Sequence, residues 1–153
     1  DIGKIGCVMN LNKPGKLSHD EYGVFKKHPE YGRDILEPIE FLHPLIPGVH
    51  LHHERWDGLG YPLGLKGKEV PLIARIISVA DTYDAMTSDR AYRKALSHDI
   101  AIAEIERCGG NQFDPDVAHG FLQSIDEFRE SGRSIEEFPY VKETAAGLLV
   151  PRP

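Results

Sequence analysis

Residues 52–62 read His-His-Glu-Arg-Trp-Asp-Gly-Leu-Gly-Tyr-Pro, and no other stretch of the chain is as informative. Two adjacent imidazoles lead directly into an acidic loop that glycines punctuate and a proline stiffens. Further glycines at positions 64 and 67 extend this loop to about Val70. A long ordered loop in a compact domain is often functional, so the histidines at its start predict a metal site.

Two helices are predicted before this loop. Ser18 and Glu21 form a capping-box pattern that opens a helix over about residues 18–36, which Pro29 bends or divides. A second helix is predicted over about residues 39–54, bent near its two prolines. Its carboxyl end would deliver the histidine pair to the start of the loop.

Three helices are predicted after the loop. One runs over residues 71–88, with an apolar stripe made of Leu72, Ile73, Ile76, Ile77, Ala80 and Tyr83. Ser97 and Asp114 can cap two more, through about Arg107 and about Glu130. Because the chain shows no convincing strand alternation, the sequence predicts an all-α fold, a helical bundle with one long loop.

Size and composition bound the class of protein. The 153 residues, 41% hydrophobic and 27% charged, fit one soluble domain, predicted over residues 1–130 with an extension over 131–153. The net charge of −6 argues against a DNA-binding or anionic-membrane surface. Two cysteines far apart and no signal-peptide layout predict a reducing, cytoplasmic setting.

Imidazoles and carboxylates together are the ligands of divalent transition metals. A cluster of them can hold two ions about 3.5–4 Å apart, which makes a strong hydrolytic centre. The candidates lie on four separate segments that the fold would have to bring together: Asp1, His28, His52, His53 and Asp81.

Each candidate also has an alternative without a metal. An isolated histidine such as His28 is usually exposed or hydrogen-bonded in a core. Asp81 and Asp84 lie three apart on one side of their helix, close to the apolar stripe. Asp81 could be a buried acid bonded to a hydroxyl or an arginine, and Asp84 a solvated or structural acid.

Residues 88–94 place three cations and a tyrosine just after the acidic helix. A run of this kind is often a solvated helix end, with cations near the carboxyl-terminal dipole. Its functional interpretation is phosphate binding, since an arginine offers a bidentate fork.

Six stretches together closely resemble the HD-GYP phosphodiesterase family, over about residues 1–125. They are residues 1–6, 11–17, 27–30, 52–62, 79–87 and 88–95. The family is an all-helical branch of the HD superfamily that hydrolyses cyclic di-GMP at a centre of two or three metals. The Gly60-Tyr61-Pro62 sequence is specific to this branch.

The resemblance implies roles for individual residues. The metals are expected to be iron or manganese, with nickel or zinc as alternatives, and their ligands Asp1, His28, His52, His53 and Asp81. Asp1 and Lys4 would be catalytic, with Lys4 supporting the bridging hydroxide or a phosphate. The substrate would contact Tyr61, Pro62, Asp84, Arg90, Arg93 and Lys94.

One departure from the family pattern concerns the start of the sequence. Asp1 corresponds to the aspartate of the family's His-Asp doublet, and the histidine before it is missing, as are upstream helices that supply a third metal in some members. We therefore expect a piece of a longer protein with an upstream sensory or receiver domain. A homodimer or a GGDEF-type protein is the expected partner, without DNA or membrane insertion.

Two other functions stay open on the sequence. The missing histidine favours a signalling module that binds cyclic di-GMP or protein partners with little or no turnover. Hydrolysis of a different nucleotide by a general HD-superfamily enzyme is less well supported, because of the Gly-Tyr-Pro loop.

Overall fold

The computed structural model describes residues 1–7, 15, 17–89 and 93–132. Its α-helices are α1 (His19–Phe25), α2 (His28–Leu36), α3 (Ile46–Leu51), α4 (Leu72–Thr87), α5 (His98–Cys108) and α6 (Pro115–Ser131). Short 3₁₀ helices cover Ile2–Cys7, Glu40–Leu45 and Gly67–Glu69. Within the described ranges no strand forms apart from isolated bridges such as Gly109 with Phe113, which confirms the predicted all-α fold.

The first predicted helix is divided, as the sequence suggested. Ser18 and Glu21 form the capping box, in which the Ser18 hydroxyl accepts from the Glu21 amide at 3.3 Å. The break lies at Lys26 and Lys27, a few residues before the expected place. Pro29 therefore lies in the first turn of α2, where its missing N–H leaves no helical bond unmade.

The prediction of one helix over residues 39–54 was wrong. A 3₁₀ helix, Glu40–Leu45, is followed by the short α3, which ends at Leu51. Pro44 and Pro47 lack the N–H donors that a continuous helix would need there. The histidine pair consequently follows α3 instead of lying within it.

The helices after the loop begin where their caps were predicted. The Ser97 hydroxyl accepts from the amide of Ile100 at 3.4 Å. The Asp114 carboxylate accepts from the amide of Asp116 at 2.9 Å, at the start of α6. These caps satisfy amides that have no partner within their own helix.

The predicted apolar stripe of α4 is not its buried face. Leu72 and Ile76 are 54% and 50% exposed, whereas the helix buries Ala74, Val79 and Met86. Ala74 packs with Leu51, Val70 and Leu65 in the core cluster. Small residues such as Ala74 let α4 approach its neighbours closely, and this choice of face is invisible to hydrophobicity alone.

The packing order of the helices brings the amino-terminal segment against α2. The Ile2–Cys7 helix packs on α2, α2 on α3, α3 on α4 and α4 on α5. The first contact is very close, because a Cβ at Gly3 would lie 1.9 Å from the carbonyl oxygen of His28. Only glycine allows the amino-terminal segment to approach α2 in this way.

Contacts within the chain group Asp1–Phe121 into one compact unit and assign Leu122 onward to a second. The predicted domain boundary near residue 130 stays a prediction, since residues 133–153 lie outside the described part. Among the described helices, none has both the length and the apolar character needed to cross a bilayer.

Candidate metal centre

Three of the predicted ligands form a cluster of imidazoles. His28 begins α2, His52 caps the carboxyl end of α3 and His53 follows it. One ring nitrogen from each lies within 4.8 Å of the other two, and the Nε2 atoms of His28 and His53 are 3.1 Å apart. Two separate segments therefore supply one compact set of nitrogen donors.

Backbone carbonyls fix the orientation of two of these rings. The Nδ1 atom of His28 lies 2.8 Å from the carbonyl oxygen of Phe25, and that of His52 lies 2.9 Å from the carbonyl oxygen of Val49. A carbonyl only accepts, so Nδ1 carries the proton in both rings and Nε2 keeps its lone pair. This is the second contact that metal-binding histidines commonly make.

Burial keeps the cluster uncharged. It lowers the pKa of His28 to about 4 and that of His53 to about 3, with the neighbouring imidazoles contributing to the second shift. Burial also lowers the pKa of His52, while the Asp81 carboxylate acts in the opposite direction. Neutral imidazoles are the form that binds a metal.

Asp1 joins the cluster from the amino-terminal segment. Its Oδ1 atom lies 3.5 Å from Nε2 of His28 and 3.8 Å from Nε2 of His52. Its other oxygen accepts a hydrogen bond from Lys4, one turn along the 3₁₀ helix. The side chains predicted to be catalytic are thus in contact with each other.

Asp81 approaches the same centre from α4. Together with Asp1 and His52 it lines a cavity of about 160 Å³, whose walls include Val49 and Ile77. Three imidazoles, two of them oriented by backbone carbonyls, and two carboxylates fit the ligand preferences of a divalent transition metal. All five predicted ligands thus lie around one place, and their role as ligands stays a prediction.

A larger cavity of about 470 Å³ borders both histidines of the pair. Its lining residues include His52, His53, Glu54, Arg55, Gly60, Tyr61, Tyr22, Lys26, Thr82 and Gln112. Tyr61 stacks on His53 with ring centroids 4.8 Å apart. Burial raises the pKa of Tyr61, so its hydroxyl remains a donor at neutral pH.

A buried carboxylate holds the loop that forms one wall of this cavity. Glu54 is 3% exposed, and its oxygens accept from the amides of Leu63, Gly64 and Leu65 at 2.6, 3.1 and 3.0 Å. At Gly60 the loop passes so close to the backbone of Arg55 that a Cβ would lie 2.4 Å from the Arg55 backbone nitrogen. The course of the loop is therefore fixed from beneath.

The outer edge of the loop is held by polar contacts. Arg55 forms a fork with Asp57, at 3.0 and 2.6 Å, and also donates to the side-chain oxygen of Gln112 at 3.2 Å. The Trp56 amide donates to the Gln112 carbonyl at 3.0 Å. This network joins the loop to the turn that precedes α6.

Of the predicted phosphate-binding residues, the two that the structure describes, Arg93 and Lys94, line neither cavity. Arg93 donates to the carbonyl oxygens of Ala85 and Met86, at the end of α4. Lys94 is 93% exposed and pairs with Asp89 at 3.2 Å. Asp84 accepts from the Ser88 hydroxyl at 3.0 Å, and Arg90 lies outside the described residues.

Lys26, Tyr22 and Glu54 have no role among the predictions made from the sequence. Lys26 and Tyr22 line the larger cavity, and Glu54 organises its loop. Glu54 carried a weak signal, as an acid within the motif directly after two histidines. Nothing in the sequence separated Lys26 from its neighbour Lys27.

Comparison with known proteins relates this chain to one protein family. Residues 3–117 match the family model described as HD domain. A cyclic di-GMP phosphodiesterase of Vibrio cholerae serotype O1 is 42% identical over 136 residues, which are 84% of this chain and 28% of that protein.

Two further relatives are named for different cyclic dinucleotides. The cyclic di-GMP phosphodiesterase response regulator RpfG of Xanthomonas campestris pv. campestris is 42% identical over 126 residues, 80% of this chain and 33% of that protein. The 3'3'-cGAMP-specific phosphodiesterase 2 of Vibrio cholerae is 34% identical over 131 residues, 84% of this chain and 25% of that protein. The chain spans a third or less of the length of these relatives.

Proposed function

Since the chain belongs to the HD domain family, in its HD-GYP branch, we propose that it is a metal-dependent phosphodiesterase that hydrolyses cyclic di-GMP. The observation that carries this proposal is the convergence of one carboxylate and three neutral imidazoles. Asp1 lies 3.5 and 3.8 Å from two of those imidazoles. His52 and His53 line a cavity of about 470 Å³. The activities described for similar proteins support the choice of substrate.

The residues that would hold the metals are Asp1, His28, His52, His53 and Asp81. Two divalent ions bound there, iron or manganese, would activate water as a nucleophile and withdraw charge from the phosphate. The protein contributes the fixed orientation of the donors, through the carbonyl contacts of His28 and His52. It also keeps the imidazoles unprotonated by burying them.

Lys4 would act on the reacting phosphate from the amino-terminal segment. Its ammonium group is held by the Asp1 carboxylate, so a cation is fixed beside the donor cluster. A fixed cation at this place stabilises the negative charge that develops on a phosphate under attack. Removing Lys4 should therefore lower turnover more than it lowers metal binding.

Tyr61 and Pro62 would shape the substrate cavity. Tyr61 stacks on His53 and so connects the wall of the cavity to the donor cluster. Asp84, Arg90, Arg93 and Lys94 stay our proposal for contacts with the rest of the substrate. Arg93 would exchange its bonds to the Ala85 and Met86 carbonyls for bonds to phosphate.

The setting of this activity is also a proposal. We expect a cytoplasmic protein with a sensory or receiver domain upstream, since one similar protein is described as a response regulator. Homodimers and GGDEF-type proteins are the expected partners. The alternative is a module that binds cyclic di-GMP without turnover.

The test is turnover by the purified 153-residue chain, incubated without oxygen with Mn²⁺ or Fe²⁺ and cyclic di-GMP. We expect linear pGpG or GMP as product, and loss of product in Asp81→Ala. Asp116→Asn is the matched control, because this acid is exposed in the first turn of α6. Cyclic GMP-AMP serves as the comparison substrate.

Three results would count against the proposal in different ways. Unchanged turnover in Asp81→Ala would exclude the proposed centre. Preferred cleavage of cyclic GMP-AMP would change the substrate but keep the reaction. Tight binding of cyclic di-GMP without product, with metal bound, would favour the signalling module.

A further inference from the structure

Lys26 lies at the junction between α1 and α2, two residues before His28. Its backbone amide donates to the Tyr22 carbonyl at 2.9 Å, and its side chain lines the cavity of about 470 Å³ beside His53. The same short junction carries the Phe25 carbonyl that orients His28. The chain thus fixes the position of this lysine relative to the donor cluster.

Two tyrosine rings flank the ammonium group of Lys26. Its Nζ atom lies 5.1 Å from the centroid of Tyr22 and 5.7 Å from that of Tyr61. Such contacts favour a cation over the ring face without neutralising it. Tyr61 in turn stacks on His53, so one ring separates the cation from a predicted metal ligand.

The other charged groups that line this cavity are already used by the protein. Both oxygens of Glu54 accept amides of the loop, and Arg55 is bound by Asp57 and Gln112. Within the described ranges, Lys26 forms no ion pair with a carboxylate. Its charge is therefore directed at whatever occupies the cavity.

We propose that Lys26 binds the phosphate of the substrate that is not being hydrolysed. This inference rests on the proposed function, because a cyclic dinucleotide has two phosphates. While one phosphate reacts at the metal centre, the other needs a cation elsewhere in the cavity. Lysine is a suitable ligand for it, as a compact charge with three donors.

A contact of this kind has a specific kinetic signature. The remote phosphate keeps its charge throughout the reaction, so Lys26 binds the ground state and the transition state about equally. Uniform binding of this type lowers KM and leaves kcat unchanged. A residue that took part in the chemistry would change kcat instead.

The experiment compares Lys26→Met and Lys26→Arg with the unmutated chain. We expect KM and Kd for cyclic di-GMP to rise about tenfold or more in Lys26→Met, because a charge-assisted hydrogen bond is lost. We expect kcat to stay within about twofold and Lys26→Arg to keep most of the affinity. Lys27→Met is the matched control, since the neighbouring lysine is exposed and does not line the cavity.

A second substrate separates this role from damage to the metal centre. Bis(p-nitrophenyl) phosphate has one phosphate only, so its hydrolysis should be the same in Lys26→Met and in the unmutated chain. An equal loss with both substrates, or a fall in bound metal, would overturn the proposal. Affinity for cyclic di-GMP unchanged in Lys26→Met would overturn it as well.

The same measurements distinguish failure of this proposal from failure of the proposed function. If the chain binds cyclic di-GMP without hydrolysing it, the activity fails while the Kd values of the variants still decide the role of Lys26. If the chain hydrolyses it and the variants behave alike, only Lys26 fails. If the unmutated chain neither binds nor hydrolyses it, both proposals are overturned.

Discussion

The histidine cluster (His28, His52 and His53) and the basic segment after α4 (in its described part, Arg93 and Lys94) use their polar atoms in opposite ways. His28 and His52 are 1% and 4% exposed, and backbone carbonyls fix the orientation of both rings through Nδ1. Arg93 and Lys94 instead direct their donors at the protein itself, at helix carbonyls and at Asp89. The predicted metal site is therefore oriented before any metal binds, whereas Arg93 and Lys94 would have to exchange partners to bind a ligand.

The largest effect should come from removing a side chain of the histidine cluster. We expect His52→Ala to lower metal-dependent turnover by about 1,000-fold, or about 4 kcal/mol, because a donor of the centre is lost. Bound metal should fall in parallel, measured by elemental analysis together with product formation. His119→Ala is the control, since this histidine is exposed on α6, and full metal content in His52→Ala would contradict the expectation.

A smaller effect should follow from acid. Burial lowers the pKa of His28 from its ordinary 6.5 to about 4. Between these two pH values His28 binds a proton in the unfolded chain but not in the folded chain. The free energy of unfolding therefore falls as the pH drops. At about pH 5, metal-free protein should lose roughly 2 kcal/mol through His28 alone relative to about pH 7.

Urea unfolding of the chelated protein at both pH values measures this loss. His28→Asn should flatten the dependence, because asparagine does not titrate in this range. If the unmutated chain and the variant lose stability equally, the lowered pKa of His28 is not the source.

The smallest effect concerns the basic segment. Arg93→Ala should lower the free energy of unfolding by about 1 kcal/mol, because two carbonyls at the end of α4 lose a charged donor. Lys94→Ala, which removes a side chain 93% exposed, should leave thermal unfolding unchanged. Equal unfolding temperatures for both variants would show that the Arg93 contacts do not stabilise α4.

Local sequence signals predicted the starts of the helices and most of the donor cluster. Ser18, Ser97 and Asp114 cap helices where expected, because capping depends on residues only a few positions apart. The resemblance to a known family implied that Asp1 and the histidines are metal ligands, and the structure brings these side chains together. The division of residues 39–54 was missed because prolines favour more than one local structure.

What the sequence could not provide depends on packing between distant segments. Leu72 and Ile76 looked like a core face of α4, but the helix turns Ala74 and Val79 inward. Lys26 contacts two tyrosine rings in the folded chain, and one of them, Tyr61, is 35 positions away in the sequence. Neither result follows from periodicity or from a motif.

Glu54 has a consequence for how the loop could change through evolution. Its carboxylate fixes three consecutive backbone amides, while Leu59 and Leu63 are 78% and 61% exposed. The course of the loop therefore depends on this buried acid and on the contacts of Arg55 with Asp57 and Gln112, and not on the identity of the exposed leucines. Substitutions at the exposed positions can change what the loop contacts without changing its backbone course. Position 54, in contrast, tolerates few substitutions.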